Sequence, residues 1–200
     1  YAYSGHAMMS AYQHLEANEN IFIIAPSHHE SFNNIALPEY SFFETPLGNL
    51  EVNNKLISEI AEKFPSIVAD EVFENEHSIE VQLPFIQNMF LPHKQSAVDF
   101  VKNLKKIGKK IKIVPVLVGN CDYRLISDLI SAYWEESSFI ISSDLSHYYT
   151  QQQCRQIDTY TATVIETGRI EFLEPQQACG ITGIKGLVDF AKNNDCALIR

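Results

Sequence analysis

Ile21-Phe22-Ile23-Ile24-Ala25 is an unbroken apolar run, and Pro26-Ser27-His28-His29 follows it directly. Side chains alternate between the faces of a strand, and here neither face is polar. The run therefore reads as a buried strand in a sheet covered on both sides. Ile111 to Val118 and Phe139 to Ile141 read the same way, and Cys196 to Ile199 is expected to add another. Between these runs the period changes to that of a helix. Leu56, Ile57, Ile60, Ala61 and Phe64 form one apolar stripe, and Leu125, Ile126, Leu129, Ile130, Tyr133 and Trp134 form a second. Ile181, Ile184, Leu187, Val188 and Ala191 form a third, and the opening segment from Ser4 to about Ala17 is also helix-like.

Alternating strands and helices predict an α/β fold with a central, mostly parallel sheet flanked by helices. Tyr40 to Glu44 and Asn49 to Val52, around Pro46-Leu47-Gly48, are expected to make a short hairpin. No repeat, linker or low-complexity tract marks a boundary, so residues 1–200 read as one domain.

Composition narrows the function classes. Fifteen basic against twenty-five acidic residues give a formal charge of −10, which repels phosphate backbones and anionic lipid. The block Lys102, Lys105, Lys106, Lys109 and Lys110 reads as a solvated helix C-terminus, favoured there by the helix dipole. No nucleic-acid partner is expected. No run approaches the ~20 apolar residues of a membrane span, so no membrane partner is expected either. The four cysteines (Cys121, Cys154, Cys179, Cys196) are widely spaced and form no Cys-x-x-Cys unit. Reduced thiols and a cytoplasmic location fit that pattern.

In open α/β sheets, ligands bind beyond the carboxyl ends of the strands. Ser27-His28-His29 follows the first run, and Ser142-Ser143-Asp144-Leu145-Ser146-His147 follows Phe139-Ile140-Ile141. Two strand ends thus carry three of the seven histidines. Imidazole titrates near neutrality and ligates metals when neutral. Neighbouring side chains diverge on leaving a strand, so only one of His28 and His29 is expected to be a ligand, the other either supporting it from behind or binding substrate. Asp144 and His147, three apart, share a face if a helix starts there. They read either as an acid–base pair or as an N-cap aspartate beside an unrelated histidine.

Glu74-Asn75-Glu76-His77-Ser78-Ile79-Glu80 opens an apolar segment. Its acidic residues suit a helix start, and His77 is the informative member, either a site residue or a solvated imidazole. Ala178-Cys179-Gly180-Ile181-Thr182-Gly183 places a cysteine among small residues at a helix start, where a thiolate is favoured; most isolated cysteines are buried small hydrophobes instead. His6 and His14 lie on the opening helix and His93 in a proline-containing loop, and no chemistry is assigned to them. A serine hydrolase using Ser27, Ser143 or Ser146 with His147 and Asp144 would need a nucleophile elbow, and no Gly-x-Ser-x-Gly occurs.

Taken together, Ala25-Pro26-Ser27-His28-His29, Glu76-His77-Ser78-Ile79-Glu80-Val81-Gln82-Leu83-Pro84, Val114-Pro115-Val116-Leu117-Val118-Gly119, Ser142-Ser143-Asp144-Leu145-Ser146-His147 and Cys179-Gly180 resemble the Memo family, known in bacteria as AmmeMemoRadiSam system protein B. That family is similar to the class III extradiol dioxygenases, which open catechol rings with non-haem iron. The resemblance implies a dioxygenase-like, metal-capable pocket with redox or oxygen chemistry on an unknown substrate. It implies His28 and Cys179 as metal ligands, His147 as the acid–base histidine, Asp144 and His77 as further catalytic residues, and His29 against substrate. Iron(II) or copper is the implied cofactor.

Cys179 stands where the dioxygenases carry a carboxylate, and this soft ligand changes metal preference, so ring opening is not carried over. The family's Pro-His-Ala-Gly motif, with a further ligand histidine, does not precede Tyr1. The chain is therefore expected to lack the family's N-terminal strand and its closing C-terminal strands, and to bind metal weakly. The alternative expectation is a non-catalytic module that uses the same pocket for a peptide or small molecule. A radical-enzyme pathway partner is also implied.

Overall fold

The Ile21 run becomes the centre of a five-stranded sheet. The computed structural model of this 200-residue chain describes residues 2–16, 18–90 and 111–198. Among them the strands are β1 (Asn20–Pro26), β2 (Ile35–Leu37), β3 (Phe42–Thr45), β4 (Gly48–Glu51), β5 (Ser66–Val68), β6 (Lys112–Val118) and β7 (Ser137–Ile141). The main sheet has the order β5-β2-β6-β1-β7, and β3 and β4 form a separate antiparallel hairpin. Ile21 to Ala25 are buried to 1% exposure or less, as a strand with neighbours on both edges and cover on both faces requires.

β1 runs parallel to β6, from Asn20 opposite Lys112 to Pro26 opposite Val118, and parallel to β7, from Asn20 opposite Ser137 to Ile24 opposite Ile141. β2 also runs parallel to β5. The antiparallel step is β2 against β6, with Ile35 opposite Val118. The sheet is thus mixed and mostly parallel, and the chain is a single α/β domain.

The helices are α1 (Gly5–Tyr12), α2 (Asn54–Lys63), α3 (Leu83–Phe90), α4 (Tyr123–Tyr133), α5 (Gln151–Glu166) and α6 (Ile181–Asn193). Local chemistry starts several of them. Asn53 caps α2 by accepting from the Leu56 N–H, and Asp122 caps α4 by accepting from the Arg124 N–H. Thr150 and Gln153 form a capping box at the start of α5. α6 packs on β1 and β7 and against α4. α1 packs against α3, where Tyr12 stacks on Phe85 with ring centroids 5.4 Å apart.

Several expectations need correction. Cys196 to Leu198 form no strand; the Cys196 N–H bonds back to the Ala191 carbonyl at 2.9 Å, continuing the turn that ends α6. The opening helix stops at Tyr12, and Gln13 and His14 form a turn. Asp144 and His147 lie in an irregular loop, so their shared helix face does not exist and Asp144 is no N-cap. The lysine block, His93 and Ile199 lie outside the described residues. All four cysteines are free thiols. No helix among the described residues is long and apolar enough to cross a membrane.

Candidate functional site

The carboxyl ends of β1 and β7 lie side by side, because the two strands pair in parallel register. Two further segments close over these ends: residues 76–82, leading into α3, and the Cys179-Gly180 turn that starts α6. The closure depends on a glycine. A Cβ built on Gly180 would lie 2.6 Å from the Ser142 carbonyl oxygen and 2.8 Å from the Ser143 Cβ. With hydrogen there instead, the turn sits against the end of β7. The Gly180 N–H then donates to Ser143 Oγ at 2.9 Å, and the Cys179 N–H donates to the Asp144 carbonyl at 3.1 Å.

These segments enclose a cleft of about 330 Å3 lined by His28, His29, Glu76, His77, Asp144 and Cys179, together with Ser78, Gln82 and Ser142. Five of the six residues singled out from the sequence therefore share one cleft. His147 does not line it. It faces an adjoining cleft with Met8, Leu145 and Asp158, and Asp144 lies on the wall common to both. His147 is thus set apart from the other five.

The least exposed polar group in the first cleft is Glu76, 4% exposed. Its carboxylate accepts the His28 backbone N–H at 2.6 Å and the Ser78 backbone N–H at 2.9 Å, and it contacts His28 Nδ1 at 3.1 and 3.2 Å. Burial pushes the Glu76 carboxyl up. The hydrogen bonds from His28 and Ser78 outweigh it and hold the group at about 2. The His28 ring is half-exposed, its side chain 46% accessible.

Behind Glu76 runs a buried polar chain. The Ser78 hydroxyl donates to the Pro26 carbonyl, Ser142 Oγ donates to the Ser78 carbonyl, Gln82 Nε2 donates to Ser142 Oγ, and the Tyr12 hydroxyl donates to Gln82 Oε1. It ties α1, the 76–82 segment and the ends of β1 and β7 together. Glu76, Gln82 and Ser142 carried no role in the sequence reading. Glu76 meets His28 across 48 residues and Gln82 meets Ser142 across 60, so no local spacing marks these pairings.

Cys179 Sγ receives the Asp144 backbone N–H at 3.1 Å, with Ser143 Oγ at 3.7 Å. His77 lies just before the 3-10 turn Glu80–Gln82, and its Nδ1 contacts Glu80 Oε2 at 3.0 Å. That pair is well exposed and adds little stability. His147 Nδ1 bonds to the Leu145 carbonyl at 2.9 Å, and because a carbonyl only accepts, the ring donates there. Tyr148 beside it holds φ 68°, a left-handed conformation costly for a non-glycine residue. Ser27 Oγ donates to the Glu30 carbonyl and Ser143 Oγ to the Asp144 carbonyl. Ser146 Oγ is buried and has no hydrogen-bond partner. None of the three is bonded to His147, so among the described residues no serine–histidine pair supports the hydrolase alternative.

Imidazole nitrogen and thiol sulfur are a donor pair suited to iron, copper or zinc. Two protein donors are one short of the three that a catalytic site of this type uses. Among the described residues no group of three His, Cys, Asp or Glu side chains could hold a metal ion. The donors present do not complete a metal site, and no chemical step is routed through one.

The family model described as Memo-like protein matches residues 1–186. A MEMO1 family protein of Thermoplasma volcanium is 34% identical over 152 residues, covering 73% of this chain and 50% of the relative. One from Aquifex aeolicus is 30% identical, covering 83% and 58%. The memo-1 homologue of Caenorhabditis elegans is 33% identical, covering 74% and 40%. The chain thus spans about half the length of these curated relatives. With the family model matching nearly end to end and a mostly parallel α/β sheet carrying the matched motifs on its strand ends, the chain belongs to the Memo family.

Proposed function

We propose that the cleft over β1 and β7 binds a small molecule and is metal-capable through His28 and Cys179, with iron(II) or copper as the metal. The observation that carries this reading is the pairing of a carboxylate-held imidazole with an amide-bonded thiol on one cleft. Each donor is already oriented before any ligand arrives, which lowers the ordering cost of binding. When bound, such a metal would supply redox or oxygen chemistry. In this proposal His77, His29 and Asp144 contact the substrate. His147, whose Nδ1 is engaged by the Leu145 carbonyl, keeps Nε2 for holding or moving a proton from the adjoining cleft.

Anaerobic titration with iron(II), and separately with copper, tests the reading in wild type, His28→Ala and Cys179→Ala. Loss of one of two donors is expected to weaken binding by at least about tenfold. Equal binding in all three proteins overturns it. A second reading is favoured by the two-donor count: a module that keeps the pocket and holds a peptide or small molecule without reaction. Ligand capture that persists after chelation and in His147→Ala selects this second reading.

A further inference from the structure

We infer that Glu76 is the positioning residue of the cleft: its carboxylate locks His28 as the Nδ1–H tautomer and so presents a bare Nε2 to ligands. The inference deepens the proposed metal-capable reading and rests on it for the purpose of the lock, though not for the lock itself.

The argument is one of donors and acceptors. A contact of 3.1 Å between His28 Nδ1 and Glu76 Oε1 needs one hydrogen between them. Both carboxylate oxygens are already accepting: Oε2 from the His28 backbone N–H and Oε1 from the Ser78 backbone N–H. An ionised carboxylate has no hydrogen to give, so the hydrogen belongs to Nδ1. A neutral imidazole with Nδ1–H has its lone pair on Nε2. That nitrogen is on the half-exposed side of the ring, since the Nδ1 side abuts a side chain only 3% accessible.

The carboxylate cannot turn away to release the ring. The two backbone bonds fix its plane, and one of them comes from the residue whose ring it orients. His28 is thus gripped twice, at main chain and at imidazole. Ser78 passes the constraint on through the Pro26 carbonyl and Ser142. A carboxylate behind a histidine is the arrangement that fixes tautomer and ring direction in metal and acid–base sites. Here it is built without need of a bound ion.

Long-range proton–nitrogen correlation on 15N-labelled, metal-free protein at about pH 8, above the ordinary imidazole range, reads the tautomer directly. The expected His28 pattern is a protonated Nδ1 and an unprotonated Nε2. A protonated Nε2, or an averaged pair of nitrogens, overturns the inference in the wild-type spectrum alone, whether or not any variant folds. In Glu76→Gln the lock is expected to relax to a mixture, with amide dispersion elsewhere retained. A folded Glu76→Ala, which leaves no acceptor there, that keeps the pure Nδ1–H tautomer overturns it too. Iron(II) titration then separates the two claims. If wild type binds, Glu76→Gln is expected to bind roughly ten- to a hundredfold more weakly, and equal affinity refutes positioning. If wild type does not bind while the tautomer is locked, the metal reading falls and the positioning role of Glu76 stands.

Discussion

At the scale of single residues, the cleft is organised by a charge that water barely reaches. Glu76 trades solvation for two backbone N–H groups and the His28 ring. Its carboxyl is held at about 2, against an ordinary 4.5. The folded-state value is depressed, so the stabilisation is fully present above about pH 4.5 and is lost as pH falls towards 2. Its size is on the order of 3 kcal/mol. Urea unfolding should therefore show a midpoint that drops between about pH 5 and pH 2 in wild type. In Glu76→Gln the protein should be weaker at neutral pH and this part of the acid dependence should vanish. A variant with unchanged acid sensitivity would place the titration elsewhere. Glu76 was hidden in the sequence among acidic residues that suit any helix start. His28, His29 and Cys179 were visible because each follows a strand or opens a helix, where the fold itself directs side chains to the ligand side.

At the scale of elements, α6 joins the sheet to α4, and its glycines set the distance. Gly186 is buried, and a Cβ there would lie 2.6 Å from Ile126 Cβ and 2.9 Å from the Tyr123 carbonyl oxygen. Two effects oppose each other in Gly186→Ala. Helix propensity favours alanine by about 1 kcal/mol. The clash falls on backbone and on a branched Cβ rather than on the tip of a flexible chain, so α4 must move, at a cost of roughly 1–3 kcal/mol and more if it cannot. The clash wins, and thermal unfolding should move to lower temperature; a higher midpoint would mean that the two helices are less tightly docked.

The stripes of α2, α4 and α6 were legible because each buries one apolar face. α5, sixteen residues long, was not, since only Thr161 and Val164 are buried along it. Its start was nonetheless written in Thr150-x-x-Gln153, a capping box that marks a helix even without an apolar face. β2 and β5 escaped for another reason. At three residues each they are shorter than any periodicity can register, and their pairing with β6 and with each other makes them strands.

At the scale of the whole molecule, the sheet order β5-β2-β6-β1-β7 puts neighbours together that are far apart in sequence. The long buried runs at β1 and β6 forecast that they are central, whereas Phe139 to Ile141, read as a third such run, belong to the edge strand β7 and are only part-buried. The antiparallel step at β2 depends on how the chain returns after Asn34, at φ 66°. What couples the layers is an aromatic column. Phe22 of β1, 0% exposed, stacks on Phe139 of β7 at 4.7 Å and on Tyr133 of α4 at 5.5 Å. Trp134 stacks on Phe139 at 6.0 Å and packs on Phe190 of α6 at 4.7 Å. Trp134 is the sole tryptophan, so its fluorescence reports on this column alone, whereas far-ultraviolet dichroism reports on all the helices. If the layers form one cooperative unit, the two signals must share a single denaturant midpoint. Phe22→Ala empties the middle of the column and is expected to cost roughly 3–5 kcal/mol, moving both midpoints down together. Separate transitions, with fluorescence shifting and dichroism staying, would show instead that the helices on α6 hold without the sheet beneath them. Trp134, though 41% exposed, touches both a strand residue and a helix residue. That argues for the first outcome, because loosening either layer removes one of its two ring contacts.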